Sequence, residues 1–266
     1  MKPAAFAYHA PRHLDEVLAL LADDGVESRV LAGGQSLVPM MNFRLAVPEA
    51  LVDLRHVAEL HYLRVAADGA LEIGAGTTQA QLLRDPEAQA GWPLLVEGVR
   101  HVGHPQVRSR GTVCGSLAHN DPHGELPALA VALDATLTVA GPGGLRTVAA
   151  TDFFVSYYEV ALEPGELLVE ARFPAVPAGS GWSFREVARR RGDFALVGVA
   201  CLVTAAQTRL VVFGASERPV LLAEPDEVAA AVRPLDDVHA SAEYRREVAV
   251  DLAAAALAEA QERADG

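Results

Sequence analysis

Apolar and polar positions follow three different rhythms along this chain, and the changes of rhythm divide it. Near the start, Leu14, Val17, Leu18 and Leu21 recur at helical spacing, with Pro11 ahead of them and Asp24-Gly25 closing the run. The short apolar runs Val30-Leu31-Ala32 and Leu51-Val52-Asp53-Leu54 read as strands. About 55 residues therefore open the chain with strand and helix in alternation, the pattern of a small α/β lobe. From His61 the rhythm shortens to that of hairpins: Tyr62–Val65 and Leu71–Ile73 flank Asp68-Gly69, a strong turn signal.

Helical spacing returns at Gln79–Leu83 and Leu94–Val99, and a Gly-rich loop at 111–116 leads to an apolar helix, Leu126–Leu133. Strands Ala135–Val139 and Leu145–Val148 stand on either side of Gly141-Pro142-Gly143-Gly144, and Leu167–Phe173 adds another. Prolines and glycines then gather between Pro174 and Gly181, the best linker in the chain. Beyond it, Phe184–Ala188, Ala195–Thr204 and Arg209–Phe213 read as an antiparallel meander. Two helices follow, Asp226–Val232 and a long Ala-rich one from Ser241 to Arg263. The division expected is 1–177, with lobes 1–57 and 58–177, then 178–266, and the fold class is α+β.

Composition narrows the possible functions. With 51% hydrophobic and 21% charged residues in 266, the chain has apolar material for two modest cores. No run approaches the roughly 20 apolar residues of a membrane helix. The opening MKPAAFAYHAPRH has no apolar stretch before a small-residue cleavage site, so a cytoplasmic location is expected. A net charge of -13 argues against nucleic acid as a partner, because neutralising phosphates needs a basic surface. Two cysteines, Cys114 and Cys201, cannot hold a four-cysteine iron–sulfur cluster or a structural zinc, so any such centre must belong to another chain. His104, His119 and His123 lack zinc-site spacing. No acid–base pair or nucleophile arrangement stands out, and neither a catalytic residue nor a metal ligand is assigned.

Two glycine loops carry the candidate chemistry. In Leu31-Ala32-Gly33-Gly34-Gln35-Ser36-Leu37 a strand runs into two glycines, which accept positive φ and let amides converge on a phosphate. A tight turn is the plain alternative. In Arg110-Gly111-Thr112-Val113-Cys114-Gly115-Ser116, small residues again allow close backbone approach, Ser116 offers a hydroxyl, and Asp121 offers an acceptor for ribose-like hydroxyls. Its alternative is a polar loop before a helix, with Asp121 as N-cap and Glu125 in the first turn. Two such loops on different lobes point to a diphosphate ligand clasped between them.

These residues resemble a known family. LAGGQSLVPMMNFRLAVPEALVDL is similar to the first pyrophosphate loop of the FAD-binding medium subunits of molybdenum hydroxylases, the carbon monoxide dehydrogenase and xanthine dehydrogenase family. HVGHPQVRSRGTVCGSLAHNDPHGELPALAVALDATL resembles the second flavin loop, REVARRRGDFALVGVA the entry to the C-terminal domain, and DDVHASAEYRREVAVDLAAAALAEA the terminal helix. The resemblance implies a two-lobed FAD-binding domain of the vanillyl-alcohol oxidase type followed by a small α+β domain.

It also implies that Ala32, Gly33, Gly34, Gln35, Ser36 and Leu37 line the FAD pyrophosphate. Gly111, Thr112, Gly115, Ser116 and Asp121 would form the second clamp, and Asp193 would lie toward the flavin, unless it is simply a turn residue. The implied partners are a small subunit with two [2Fe–2S] clusters and a large molybdopterin subunit, in a dimer of heterotrimers. Electrons would pass from the clusters through FAD to an outside acceptor. A stand-alone flavoenzyme and a flavin-free assembly subunit are the other readings. One departure stands out: the family has two glycines where this chain has Cys114-Gly115. A Cβ there disfavours positive φ and crowds the diphosphate, whereas a β-region backbone would accept it. A thioether bond from Cys114 to flavin is a further possible use.

Overall fold

The computed structural model describes residues 2–265. The first apolar stripe forms the helix Leu14–Leu21 with Val17 fully buried. It packs on a parallel sheet of β1 (Ala7–His9), β2 (Ser28–Leu31) and β3 (Ala50–Asp53), ordered β1-β3-β2. All four residues of β3 are buried, as expected of a central strand covered on both faces. A short helix, Leu37–Asn42, follows directly on the first glycine loop.

The hairpin rhythm builds an antiparallel sheet of five strands. These are β4 (Leu63–Val65), β5 (Leu71–Gly74), β6 (Thr136–Gly141), β7 (Gly144–Ala149) and, after a two-stranded ribbon of β8 (Phe154–Ser156) and β9 (Glu159–Val160), β10 (Leu167–Phe173). Their order is β4-β5-β10-β6-β7. The turn signal at Asp68-Gly69 is used as read, with Gly69 at φ +84°. The helix Glu125–Ala132 is buried on every side because the last sheet packs on its far face.

That last sheet is a meander, β11 (Gly181–Ala188), β12 (Ala195–Val203), β13 (Thr208–Phe213) and β14 (Val220–Leu222), each antiparallel to the next. The period of two sorts its side chains. Val197, Val199 and Cys201 meet Ala249, Ala253, Ala256 and Ala260 of the helix Ala242–Asp265, while Ala200 and Leu202 join the main core. Alanine is used because helix and sheet come very close: a Cβ on Gly181 would lie 1.7 Å from the Ala260 carbonyl oxygen. Two arginines tie the sheet to its surroundings. Arg209 donates to the carbonyls of Val131 (2.7 Å) and Ala132 (3.2 Å), and buried Arg245 donates to those of Leu196 and Gly214.

The mixed α+β architecture expected from the sequence is the one the chain adopts. Local readings differ in places. The stretch 111–116 is only partly a loop, because the helix Val113–His119 begins inside it. The helix read at Asp226–Val232 splits into a 3₁₀ turn, Pro225–Glu227, and a short helix, Val228–Ala231. Asp121 is not the cap of the helix at Glu125. That position is held by Gly124, and Asp121 instead accepts from the His123 amide at 2.9 Å. No helix among the described residues is long and apolar enough to cross a membrane.

Candidate functional site

The first glycine loop leaves the C-terminal end of β2, where open parallel sheets place their ligands. Gly34 takes φ +72°, which an L side chain disfavours, and turns the chain into the helix Leu37–Asn42. The Gln35 side chain folds back to donate to the Gly33 carbonyl at 3.1 Å. Among the hydrogen bonds of the described residues, none uses the backbone N–H of Gly33, Gly34, Gln35, Ser36 or Leu37 as donor. Five successive amides without internal acceptors, on a loop that is only half-buried, form a nest for an anion.

The second loop lies against the first. A Cβ on Gly33 would stand 2.3 Å from the Arg110 carbonyl oxygen, and one on Gly115 would come within 3.5 Å of the Ala32 Cβ. Gly115 sits in the first turn of the helix Val113–His119, where its amide donates to the Thr112 hydroxyl, the N-cap, at 3.0 Å. The positive end of that helix therefore faces the same cleft as the nest.

Cys114 stands in this helical turn, so its backbone is neither in the positive-φ region nor in the β region. Its side chain points inward, with the thiol donating to the Ile73 carbonyl at 3.5 Å and burial pushing its pKa up to about 12. The crowding expected of a Cβ at this position is corrected by that orientation. A buried thiol held un-ionised is likewise unsuited to a flavin thioether.

Sequence reasoning missed Gln79. Its amide donates to the Gly111 carbonyl at 2.9 Å, and the Val113 amide donates to the Thr77 carbonyl at 3.1 Å, so the segment 77–79 is stitched to the second loop. Its side-chain Nε2 donates to the Ser116 hydroxyl at 2.9 Å, while its Oε1 is buried without a donor among the described residues. The only trace in the sequence is the capping box Thr78-x-x-Gln81 that starts the helix Gln79–Arg84 and fixes where Gln79 falls.

Asp121 lies just past the other end of the helix Val113–His119, roughly 10 Å from its first turn at 1.5 Å per residue. Left-handed Asn120 (φ +47°) ends the helix, and its side chain donates to the carbonyls of Ser156 and Glu159. The same ribbon carries Tyr158, also at positive φ, whose hydroxyl donates to Asp121 at 3.3 Å and whose ring lies 5.2 Å from that of His119. Partial burial and the neighbouring carboxylate push the Tyr158 phenol up to about 12, so it remains a donor to Asp121 at neutral pH. His123 is turned to the Ala195 carbonyl at 2.8 Å.

Asp193 stands apart from these groups. It is exposed, and its amide closes a turn on the Arg190 carbonyl at 3.1 Å. Neighbouring Gly192 packs against His104, where a Cβ would come within 2.4 Å of the ring. No hydrogen bond joins Asp193 to either glycine loop among the described residues.

The donor set suits a dinucleotide diphosphate. It combines unpaired amides, a helix N-terminus, a hydroxyl at Ser116 and glycines where side chains would fill the cleft, with a carboxylate about one short helix away for sugar-like hydroxyls.

Comparison with known proteins identifies the fold. Residues 4–176 match the family described as the FAD binding domain in molybdopterin dehydrogenase. The chain is 37% identical over 288 residues to the 6-hydroxypseudooxynicotine dehydrogenase complex subunit alpha of Paenarthrobacter nicotinovorans, covering 99% of this chain and 97% of that protein. It is 42% identical over 203 residues to the carbon monoxide dehydrogenase medium chain of Hydrogenophaga pseudoflava, covering 76% of this chain and 70% of the relative. A solved structure of carbon monoxide dehydrogenase from Hydrogenophaga pseudoflava superimposes with a TM-score of 0.94 at 35% identity, covering 99% of both chains. The fold, the paired glycine loops and this near full-length likeness lead to one conclusion: the chain belongs to the FAD-binding medium subunits of the molybdenum hydroxylase-type oxidoreductases.

Proposed function

We propose that this chain is the electron-transfer subunit of a three-chain molybdenum hydroxylase, taking electrons from [2Fe–2S] clusters on a small partner and passing them through FAD to an external acceptor. The observation that carries the reading is the set of five unpaired amides, Gly33 to Leu37, set against the N-terminus of the helix Val113–His119. FAD supplies reversible one- and two-electron chemistry when bound. The protein's own work is to hold and orient it. Amides of Gly33–Leu37, with Gly111, Thr112, Gly115 and the Ser116 hydroxyl, take the diphosphate, and Ala32 floors the cleft. Asp121, held by Tyr158, accepts from sugar-like hydroxyls. Asp193 belongs to the flavin-facing side of the last domain only in this reading.

Both cysteines are buried and unpaired, so the clusters belong on a different chain, and substrate oxidation on a molybdopterin chain. The assembly proposed is a dimer of heterotrimers in the cytoplasm. Within this chain, 1–177 binds FAD through lobes 1–57 and 58–177, and 178–266 forms the second domain.

The test is flavin content of the purified full chain, measured by absorbance, with co-purification of the other subunits. One FAD per chain is expected. Gly33→Asp and Gly115→Asp should bind none, because each sets a carboxylate against the diphosphate. Stoichiometric flavin in both variants would overturn the site, and a chain found alone in native extracts would overturn the three-chain assembly.

A further inference from the structure

We propose that Gln79 is a positioning residue that turns the Ser116 hydroxyl into a dedicated donor to the FAD diphosphate. The inference rests on the reading that the two glycine loops clasp that diphosphate. Gln79 is 1% exposed, and its side chain takes no part in capping its own helix, a task done by Thr78 and Gln81. Instead it reaches across to the second loop, where Nε2 donates to Ser116 Oγ at 2.9 Å. A serine hydroxyl has one proton and two lone pairs. Accepting from Gln79 occupies a lone pair and leaves the proton free to point elsewhere. Among the described residues Ser116 donates to no acceptor. Ser116 is half-buried, on the same turn of helix as Gly115, whose bare Cα faces Ala32 of the first loop. The free proton therefore has the cleft as its outlet, and a phosphate oxygen is the acceptor that fits there.

The surroundings hold this arrangement in place. The Gln79 amide is bonded to the Gly111 carbonyl, and its Oε1 lies 3.3 Å from where a Cβ on Gly111 would stand, so Gly111 leaves room for the carboxamide. Oε1 is buried without a donor among the described residues. An apolar side chain of the same length would avoid that cost, so the carboxamide serves the donor it places on Ser116 rather than the packing.

The experiment is titration of the flavin-free full chain with FAD, followed by flavin fluorescence, in the wild type, Gln79→Met, Ser116→Ala and the double variant. Thermal melts of the flavin-free forms check folding. Each single change should raise Kd about tenfold, the effect of losing one charge-assisted hydrogen bond. The double variant should stay near tenfold, because both changes remove the same bond. Gln79→His, which keeps a ring N–H, should bind within about threefold of the wild type, whereas Gln79→Glu, titrated at a pH where its carboxyl is ionised and can only accept, should lose at least as much as Gln79→Met. A double variant near a hundredfold, or Gln79→Met with wild-type affinity, would overturn the role of Gln79 while leaving the clasp intact. Wild-type affinity in Ser116→Ala would overturn the clasp at Ser116 itself and the inference with it. Should Gln79→Met fail to fold, the His and Glu variants decide: tight binding by Glu and weak binding by His would overturn the proposal.

Discussion

A Cβ on Gly33 would stand 2.6 Å from the Cα of Gly111, so the two glycine loops meet backbone to backbone with no room for a side chain. This contact, between residues far apart in sequence, makes one cleft from two loops that are individually ordinary. Gly33→Ala should therefore do more than remove flexibility. The added methyl must push the loops apart, and overpacking of this kind costs about 1–3 kcal/mol. The expected outcome is a lower melting temperature together with a weakened FAD affinity, read by differential scanning calorimetry and by flavin titration. Retention of both would show that the loops are free to separate.

Cys114 is a residue of the core rather than of the cleft. Cys114→Gly places two glycines in succession here, yet removes a buried side chain from a helix. Its cost is about 1–2 kcal/mol of stability, with FAD affinity unchanged within about twofold. Native protein should resist alkylation at this thiol, because burial holds its pKa at about 12. Mass spectrometry after iodoacetamide treatment, with and without denaturant, checks that part.

Glu125 is 3% exposed at the start of the fully buried helix, and burial raises its pKa to about 8, with Glu186 and Asp121 adding to the rise and His101 opposing it. The folded protein therefore holds a proton that the unfolded chain releases near pH 4.5. Between those two values the native state binds more protons, so stability falls as pH rises, and it levels off above about 8. Glu125→Gln keeps the shape and removes the titration. The variant should gain little over the wild type at pH 5 and most at pH 8, by on the order of a few kcal/mol. Urea melts across that range measure it, and a pH-independent difference would contradict the assignment.

Arg209 joins the last sheet to the C-terminal end of the helix Glu125–Ala132, donating to Val131 and Ala132 and pairing with Asp134 at 3.0 Å. It adds a second donor to the Val131 carbonyl, which also accepts from the Asp134 amide at 3.2 Å, and pairs the Ala132 carbonyl that the helix end leaves open. Arg209→Met should cost about 1–3 kcal/mol, chiefly by leaving the Ala132 carbonyl without a donor, since Val131 keeps the Asp134 amide and Asp134 itself is exposed. Limited proteolysis should then cut first in the exposed stretch 174–180, which joins the two sides of this contact.

The strongest periodic signals were legible without a structure. The helix at 14–21, the hairpin turning at Asp68-Gly69, the meander and the long alanine helix all follow from side chains repeating at 3.6 or 2 residues. Strand β1 was not legible: exposed Ala7 and Tyr8 and half-buried His9, on a sheet edge, carry no alternation. Nor were the short helices Pro86–Gly91 and Pro105–Arg108, which are too brief for a stripe and are marked only by a proline at the first position. Within the site, the small residues Gly111, Thr112, Gly115 and Ser116 drew attention to the second loop, but the start of a helix was read there as loop. Thr112 bonding to the Gly115 amide is a helix cap, and a cap three residues before glycine looks much like a turn in sequence.

Sequence alone determined that this chain offers two small-residue loops for a phosphate-bearing ligand and that its two cysteines are too few for a four-cysteine cluster, because residue type limits what a backbone can approach and which atoms can bind. Tertiary structure alone decided that Gly33 meets Gly111, that Cys114 faces Ile73 and that Gln79 reaches Ser116. Those relations span 78, 41 and 37 positions of sequence. They arise from how sheets and helices pack across the chain, which no local pattern of apolar and polar residues encodes.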